Sequence, residues 1–247
     1  MRRGLIALAA GLLVTSLAQA YIAPTTFLLL HWIQIRVERK IFSLQVVMQT
    51  TTHGAARTTE RETVTFLSPW RVRAEREVEG GKVLRIRDGE REWVEAPGQK
   101  GTRRQAEIDL LWDLFSCAEE SEDSAQKARD RLLGTLKRLG IDGSKTSLTR
   151  FDGRIAIVIG ADPWDRVTPQ LWLDKDGLYP LRLIARENGD ARRPLLDVRL
   201  RGYGGSKTSL IFPEVIEVYR DGALWRRSEV EEVTVAPKLT PAQFKIP

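Results

Sequence analysis

The sequence is poor in the side chains that most often build disulfides, metal sites and catalytic centres. Its 247 residues include one cysteine, Cys117, and two histidines, His31 and His53. A lone cysteine cannot form an internal disulfide, and we interpret Cys117 as a small buried apolar residue near a helix. No His-x-x-x-His pair exists, so a catalytic zinc site built on histidine is not indicated. We expect the protein to hold no metal ion and no cofactor.

The motifs of common enzyme classes are also missing. There is no Gly-x-Ser-x-Gly nucleophile elbow, and the glycine-rich stretch 204–208 lacks the Gly-Lys-Ser/Thr order of a phosphate-binding loop. Residues 174–177 begin like a calcium loop, but no glutamate closes it, so a hairpin turn is the simpler interpretation. Asp162 and Asp165 lie in a predicted loop, and nothing marks them as desolvated. We therefore expect a protein that is not an enzyme.

The charge pattern argues against nucleic acid as a partner. The chain carries a net charge of +6, and its acidic and basic residues alternate closely, as in Glu60-Arg61-Glu62 and Glu90-Arg91-Glu92. Proteins that bind nucleic acid concentrate Lys and Arg on one face. We interpret the alternating charges as a solvated surface of mixed sign, and we expect no nucleic-acid role.

The first twenty residues have the layout of a secretory signal. Arg2 and Arg3 form a basic head, Leu5–Leu17 an apolar run, and Ala18-Gln19-Ala20 a small-residue cleavage site, so the mature chain would begin near Tyr21. The residue after the cut is not the cysteine that a lipid anchor requires. We expect export and a periplasmic protein that is soluble and monomeric after signal cleavage.

An alternative joins the same run to residues 27–35 as one uncleaved membrane anchor. Gln19, Pro24 and His31 interrupt that stretch, whereas a membrane span requires about 20 nearly continuous apolar residues. We favour the removable signal over residues 1–20. The remaining chain, 21–247, is expected to form a single domain with a helical insertion at about 105–140.

Three segments have apolar residues at helical spacing. They are Phe27, Leu30, Ile33, Val37 and Ile41 after Pro24; Ile108, Leu111, Trp112 and Phe115; and Ala128, Leu132, Leu136 and Leu139. Elsewhere apolar and polar residues alternate between glycine-containing turns such as Asp88-Gly89, which is typical of antiparallel hairpins. About ten or eleven strands are predicted.

These elements predict a mainly β protein of the α+β class. We expect a large antiparallel sheet, either an unclosed β-barrel or a strongly curved sheet, with an N-terminal helix and two further helices covering the concave face. Such helices are too few to fill so wide a concavity, and an unfilled apolar concavity is where apolar ligands bind. The predicted inward-facing, lipid-binding residues are Phe42, Leu44, Val46, Met48, Val64, Phe66, Trp70, Val72, Leu111, Trp112 and Phe115. Trp164, in a loop, is expected to be exposed.

The order of several short segments is similar to that of a known family. These segments are Ile41-Phe42-Ser43-Leu44, Ser68-Pro69-Trp70-Arg71-Val72-Arg73, Asp88-Gly89-Glu90-Arg91-Glu92-Trp93, Leu171–Lys175 with Pro180-Leu181-Arg182, and the closing stretch Leu239–Pro247. With the N-terminal helix before them, they resemble the periplasmic lipoprotein-carrier superfamily. This superfamily includes the outer-membrane lipoprotein-sorting proteins and a related envelope-stress sensor.

The resemblance implies an open barrel with helices as a lid and an apolar interior that receives the acyl chains of a lipoprotein or another lipid. It also implies an inner-membrane release complex and an outer-membrane acceptor as partners in transfer toward the outer membrane. The alternative function is an envelope-stress sensor or regulatory module that docks a membrane-bound partner. The carriers have an arginine where this chain has Ser68, so the resemblance does not imply an energy-driven cycle of opening and closing.

Overall fold

A computed structural model describes residues 22–54, 56–102, 106–118 and 121–247. The predicted signal, residues 1–20, lies outside these residues. The helices are α1 (Thr25–Glu38), α2 (Ala106–Phe115) and α3 (Glu122–Arg138), with short 3₁₀ turns at Glu187–Gly189 and Pro241–Phe244. The strands are β1 (Ser43–His53), β2 (Arg57–Leu67), β3 (Arg71–Val78), β4 (Gly81–Asp88), β5 (Arg91–Ala96), β6 (Gln99–Gly101), β7 (Thr146–Phe151), β8 (Arg154–Ile159), β9 (Gln170–Asp174), β10 (Pro180–Arg186), β11 (Leu195–Arg201), β12 (Val215–Arg220) and β13 (Ala223–Val235).

All the strands belong to one antiparallel sheet. Its order is β6-β5-β4-β3-β2-β1-β13-β12-β11-β10-β9-β8-β7, so two meanders meet where β1 pairs with β13. In the described part of the chain, β6 and β7 each pair on one side only, and the sheet does not close into a barrel. This confirms the predicted fold class, an unclosed antiparallel sheet with helices.

The described residues form thirteen strands, slightly more than predicted. One strand that was not predicted is β6, whose three residues Gln99–Gly101 contain no apolar alternation that a sequence pattern could reveal. The turn before β5 follows the predicted chemistry: Gly89 has a φ of +63°, which glycine adopts without strain, and its N–H donates to the carbonyl of Trp70.

Sheet register places the inner apolar residues opposite one another. Val46 of β1 faces Val64 of β2, and Leu44 faces Phe66. Because successive strand residues point to opposite faces, these four side chains share the concave face. Their side chains join those of the helices and of the β7–β11 half of the sheet in one buried apolar cluster.

The α3 helix buries the predicted stripe. Ala128, Leu132, Leu136 and Leu139 are each about 1% exposed or less, which confirms the helical pattern. Ser121 caps the N-terminus of this helix, and its hydroxyl accepts a hydrogen bond from the backbone N–H of Ser124. None of the described helices combines the length and the apolar character needed to cross a membrane.

The α1 helix forms where predicted, but its buried face matches the predicted stripe only in part. Ile33 of the stripe is completely buried, whereas Phe27, which begins the stripe, is 57% exposed. Leu28, Leu29 and Trp32, which lie outside the stripe, are also buried. Residues 27–33 are apolar at every position except His31, so their spacing could not single out one face. Arg36, in the last turn of this helix, is a charged residue that the structure buries almost completely.

Candidate functional site

A cavity of about 570 Å³ lies on the concave face of the sheet. Its walls are the inner faces of β1–β5 and β11–β13, and α2 contributes one side. The apolar wall residues are Met48, Val64, Phe66, Ala74, Val83, Val94, Leu111, Trp112, Phe115, Leu196, Val198, Leu200, Phe212, Ile216, Val218 and Trp225. The sheet therefore encloses apolar space that the helices do not fill.

Aromatic rings close one part of this space. The ring centroids of Phe115 and Phe212 are 4.6 Å apart, and that of Phe66 lies 6.0 Å from Phe115 and 6.2 Å from Phe212. Such separations are those of favourable tilted aromatic pairs. The three rings bring α2, the end of β2 and the segment before β12 together at the apolar end of the cavity.

The structure brings six of the eleven sequence-predicted site residues to the cavity. These six are Met48, Val64, Phe66, Leu111, Trp112 and Phe115. Leu44, Val46 and Val72 lie on the same face of the sheet but are completely buried in the core rather than at the cavity wall. That the six wall residues bind lipid stays a prediction.

The other two predicted site residues lie outside the cavity wall. Phe42 is half-buried and precedes β1. Trp70 packs at the β2–β3 connection, where the guanidinium of Arg131 lies 4.7 Å from its ring centroid. The exposure predicted for Trp164 is confirmed, because this residue is 77% exposed in the β8–β9 loop.

Charged residues that we had interpreted as part of a solvated surface also line the cavity. Glu60 and Glu62 of β2 face inward, where Arg76 Nε lies 3.1 Å from Glu60 Oε2 and Arg226 pairs with Glu62. The hydroxyl of Thr50 donates to Glu62 Oε2 over 3.1 Å. Strand parity could have revealed these glutamates, since they lie two and four residues before Val64 and so on the same face as that residue.

Glu62 is charged inside this cavity. Burial alone would raise the pKa of its carboxyl, but Arg226, Arg76 and the Thr50 hydroxyl favour the charged form more strongly. The pKa of Glu62 therefore lies below its ordinary value. The cavity end near β2 and β13 carries an ion pair at neutral pH.

The α1 helix holds the C-terminal end of α2. Trp32 Nε1 donates to the carbonyl of Leu114 over 2.9 Å, and Arg36 Nη2 donates to the carbonyl of Phe115 over 2.5 Å. The last carbonyls of a helix have no partner within the helix, and a cation there also complements the helix dipole. Burial lowers the pKa of Arg36. These contacts position the α2 side chains at the cavity wall.

A buried carboxylate fastens α2 to the sheet and to α3. Asp113 is completely buried, with Arg87 Nη2 of β4 at 2.7 Å from Oδ1 and Arg131 Nε of α3 at 3.3 Å from Oδ2. The next residue toward the N-terminus, Trp112, packs under the guanidinium of Arg85, which lies 4.4 Å from its ring centroid. Together with α1, the strand β4 and the helix α3 therefore hold α2 over the cavity.

The charged stretch Glu90-Arg91-Glu92 also differs from the solvated surface that we predicted for it. Glu92 is buried and pairs with Arg85, whereas Glu90 remains mostly exposed while it reaches Arg131 at 2.7 Å. Glu92 lies opposite Arg87 on β4, and Arg91, the preceding residue of β5, points to the other face of the sheet.

Cys117 is not a nucleophile in this environment. The thiol is completely buried and donates to the carbonyl of Leu114 over 3.3 Å, and burial raises its pKa to about 12. A thiol in this state is neutral and unreactive at neutral pH. This confirms the prediction of a small buried residue. Across residues 22–54, 56–102, 106–118 and 121–247, no three side chains of His, Cys, Asp or Glu are grouped to hold a metal ion.

No protein-family model matches the sequence, and neither does any curated protein. Among solved structures, a LolA superfamily protein from Nitrosomonas europaea is similar with a TM-score of 0.53 at 12% identity, covering 91% of this chain and 99% of that one. A DUF1329 family protein from Desulfovibrio piger has a TM-score of 0.52 at 11% identity, with coverages of 90% and 98%.

A third similar structure is described as an outer membrane lipoprotein-sorting protein domain from Vibrio parahaemolyticus. Its TM-score is 0.50 at 13% identity, and the match covers 87% of this chain and 95% of that one. Likeness at such low identity concerns the fold alone. It agrees with the unclosed sheet and the helices described above, and it confirms the resemblance to the lipoprotein carriers at that level: the chain has a LolA-like fold.

Proposed function

We propose that this protein is a non-enzymatic carrier or binder of lipoproteins or other lipids, which shields acyl chains in the concave cavity. The observation that carries this proposal is the cavity itself, about 570 Å³ of space with mostly apolar walls. This volume lies in the range of about 300–1,000 Å³ that is typical of small-molecule sites. A sheet that served only as a scaffold would not need to leave such space beside its core.

The physical reason for a carrier is the cost of exposing an acyl chain to water. Each methylene that leaves an apolar environment costs about 0.8 kcal/mol, so a long chain crosses an aqueous compartment only when it is shielded. The rings of Phe66, Phe115 and Phe212 offer an apolar end for such a chain. The similar fold of an outer membrane lipoprotein-sorting protein domain supports the same function.

The signal-like layout of residues 1–20 supports a function beyond the cytoplasmic membrane. In this proposal residues 1–20 are removed as a signal, and residues 21–247 form one periplasmic domain that moves lipid toward the outer membrane as a monomer. An inner-membrane release complex and an outer-membrane acceptor would be its partners. Sequencing the N-terminus of the exported protein tests the cleavage site near Tyr21 directly.

The direct test of lipid carriage is to purify the exported protein and identify co-purifying lipid by mass spectrometry. We expect lipid in amounts comparable to the protein, and we expect the delipidated protein to bind a fluorescent fatty acid. A protein that carries no lipid from cells and also ignores the fluorescent fatty acid would overturn the proposal.

A second function, docking a membrane-bound regulator, is favoured by exposed apolar side chains. Trp164 and Val167 of the β8–β9 loop are 77% and 63% exposed. A photo-crosslinking residue at position 164, with position 61 on an exposed strand as control, tests this function in cells. Capture of a signalling membrane protein only at position 164, with no lipid in the cavity, would favour the regulator over the carrier.

A further inference from the structure

The concave cavity has a charged end as well as an apolar end. Along β2 the inward-facing residues change from Phe66 and Val64 to Glu62 and Glu60, because every second residue of a strand faces the same side. One wall therefore passes from apolar to ionic within a single strand. A ligand that fits both parts of this wall is amphipathic, with a chain at one end and a polar head at the other.

The charged end of the cavity carries both positive and negative side chains. Glu60 is paired with Arg76, and Glu62 with Arg226, each glutamate on β2 having its arginine on another strand of the inner face. The four side chains are between 12% and 27% exposed, so each is mostly shielded from solvent. A purely anionic head would meet glutamates as well as arginines there.

A third ion pair at the cavity wall shows the same pattern. Arg220 of β12 lies 3.3 Å from Glu187, and its guanidinium is 5.7 Å from the ring centroid of Trp225. All three residues line the cavity, as do Thr52 and Ser228. Positive and negative groups therefore occur as pairs at this wall.

Arg226 lies on the cavity wall with its side chain 24% exposed, and its Nη2 donates to Glu62. Its guanidinium is a charge-assisted donor for a phosphate oxygen that enters the cavity. Resting on the function proposed above, we propose that the cavity binds an amphiphile with a zwitterionic head group, its phosphate at Arg226 and its ammonium at the carboxylates of Glu60 and Glu62.

The cavity volume indicates how much chain such a ligand places inside. At about 30 Å³ per carbon, the share that a water molecule of similar size takes in the liquid, the cavity holds on the order of twenty carbon atoms. That amount corresponds to one acyl chain of common length. Single-chain lipids are therefore the appropriate probes.

The test compares three probes that share one palmitoyl chain and differ in the head: lysophosphatidylethanolamine, lysophosphatidic acid and monopalmitoylglycerol. Their affinities are measured by displacement of a fluorescent fatty acid from the delipidated protein, below the concentration at which each probe forms micelles. We expect the zwitterionic probe to bind about tenfold more tightly than either other probe, a difference of about 1.4 kcal/mol. Equal affinities, or tightest binding of the anionic or the neutral probe, would overturn the head-group assignment while leaving lipid binding intact. No binding of any probe would overturn lipid carriage itself.

A double variant and a matched control test which residues produce the preference for the zwitterionic probe. Glu62→Gln together with Arg226→Gln removes the inner ion pair without leaving one buried charge alone. The control, Arg61→Gln with Glu231→Gln, removes a pair on the exposed face of the same two strands, where the two charges are 3.1 Å apart. We expect the inner variant to lose the preference for the zwitterionic probe and to bind monopalmitoylglycerol as before. We expect the outer variant to keep the preference and the binding of monopalmitoylglycerol.

An inner variant that folds and retains the preference contradicts the assignment. Should it fail to fold, the probe series on the unmodified protein decides alone.

Discussion

Glu62 of β2 and Arg226 of β13 form an ion pair across β1, on the same face of the sheet as Met48 and Val64. An ion pair therefore faces the space in which an acyl chain would lie. Removing one partner would leave the other charge without a counter-charge in the cavity wall, and a shielded charge without a partner lowers the stability of the fold. This dependence gives the first prediction.

Replacing Arg226 with methionine removes the positive partner and leaves the Glu62 carboxylate buried and unpaired. We expect a loss of about 3 kcal/mol in the free energy of unfolding at neutral pH, measured by urea denaturation. Glu231→Gln, on the exposed face, serves as the control and should change stability little. An Arg226→Met protein as stable as the original would show that the pair has no structural role.

The same variant also changes the contribution of Glu62 to the pH dependence of stability. In the original protein the pKa of Glu62 is lowered, so its stabilising effect is present above its ordinary pKa and is lost as the pH falls through the folded value. Without Arg226, only Arg76 and the Thr50 hydroxyl oppose the effect of burial, so the pKa of Glu62 should rise and less stability should be lost on acidification than in the original protein. Melting temperatures from pH 7 to pH 4 measure the difference between the two proteins. Parallel pH profiles would contradict the assignment.

A second prediction separates the buried core from the cavity wall. Leu44 and Val46 are completely buried, so Leu44→Asp or Val46→Asp should prevent folding, because a charge there has no partner. Val47→Asp, on the opposite face of the same strand, should preserve both folding and binding. Leu111→Glu, at a half-buried position on the cavity wall, should fold but lose fluorescent fatty-acid binding. Retained binding by a folded Leu111→Glu protein would show that the chain lies elsewhere.

A third prediction concerns the attachment of α2. Asp113→Asn removes the charge that Arg87 and Arg131 share, and we expect a loss of about 3 kcal/mol in unfolding free energy. Hydrogen exchange should accelerate in residues 106–118 more than in β7–β10, because the contacts of Asp113 fasten this helix to its neighbours. Asp130→Asn, on the exposed part of α3, is the control. Unchanged exchange in α2 would exclude Asp113 as its attachment.

The fourth prediction concerns Cys117. Since burial raises the pKa of its thiol to about 12, the folded protein should react with a thiol reagent such as iodoacetamide only very slowly at pH 8. The same protein unfolded in urea should be modified completely, which provides the control. Rapid and complete modification of the folded protein would contradict the burial of this residue. Mass spectrometry of the intact protein measures both reactions.

Much of the fold could be predicted because alternation and turn chemistry are local. The strand pattern of Leu44, Val46 and Met48 assigns these residues to one face before any partner strand is known. The pairing of β1 with β13 could not be predicted in the same way, because the two strands are far apart in sequence and no local pattern links them. The face of α1 was also not predictable, since Leu28 and Leu29 are no more apolar than their neighbours on the other side.

Part of the candidate site could be predicted because strand parity assigns each side chain to one face of the sheet. Apolar wall residues such as Val64 and Phe66 follow strand parity, and parity was sufficient to find them. Glu62 follows the same parity, but a charge in a strand is usually solvated, so the sequence favoured the exposed face. The burial of Glu62 depends on Arg226, which lies 164 residues away in the chain.

The most direct test of the cavity as a lipid site uses Met48 as a reporter. The sequence contains two methionines, Met1 and Met48, and Met48 lines the cavity with 4% of its surface exposed. We would label the methionine methyl groups isotopically, add a spin-labelled palmitate to the delipidated protein, and record methyl NMR spectra. The account predicts that the Met48 signal broadens as the spin label binds and returns when the label is chemically reduced. A Met48 signal that stays sharp while the palmitate is bound would contradict the account.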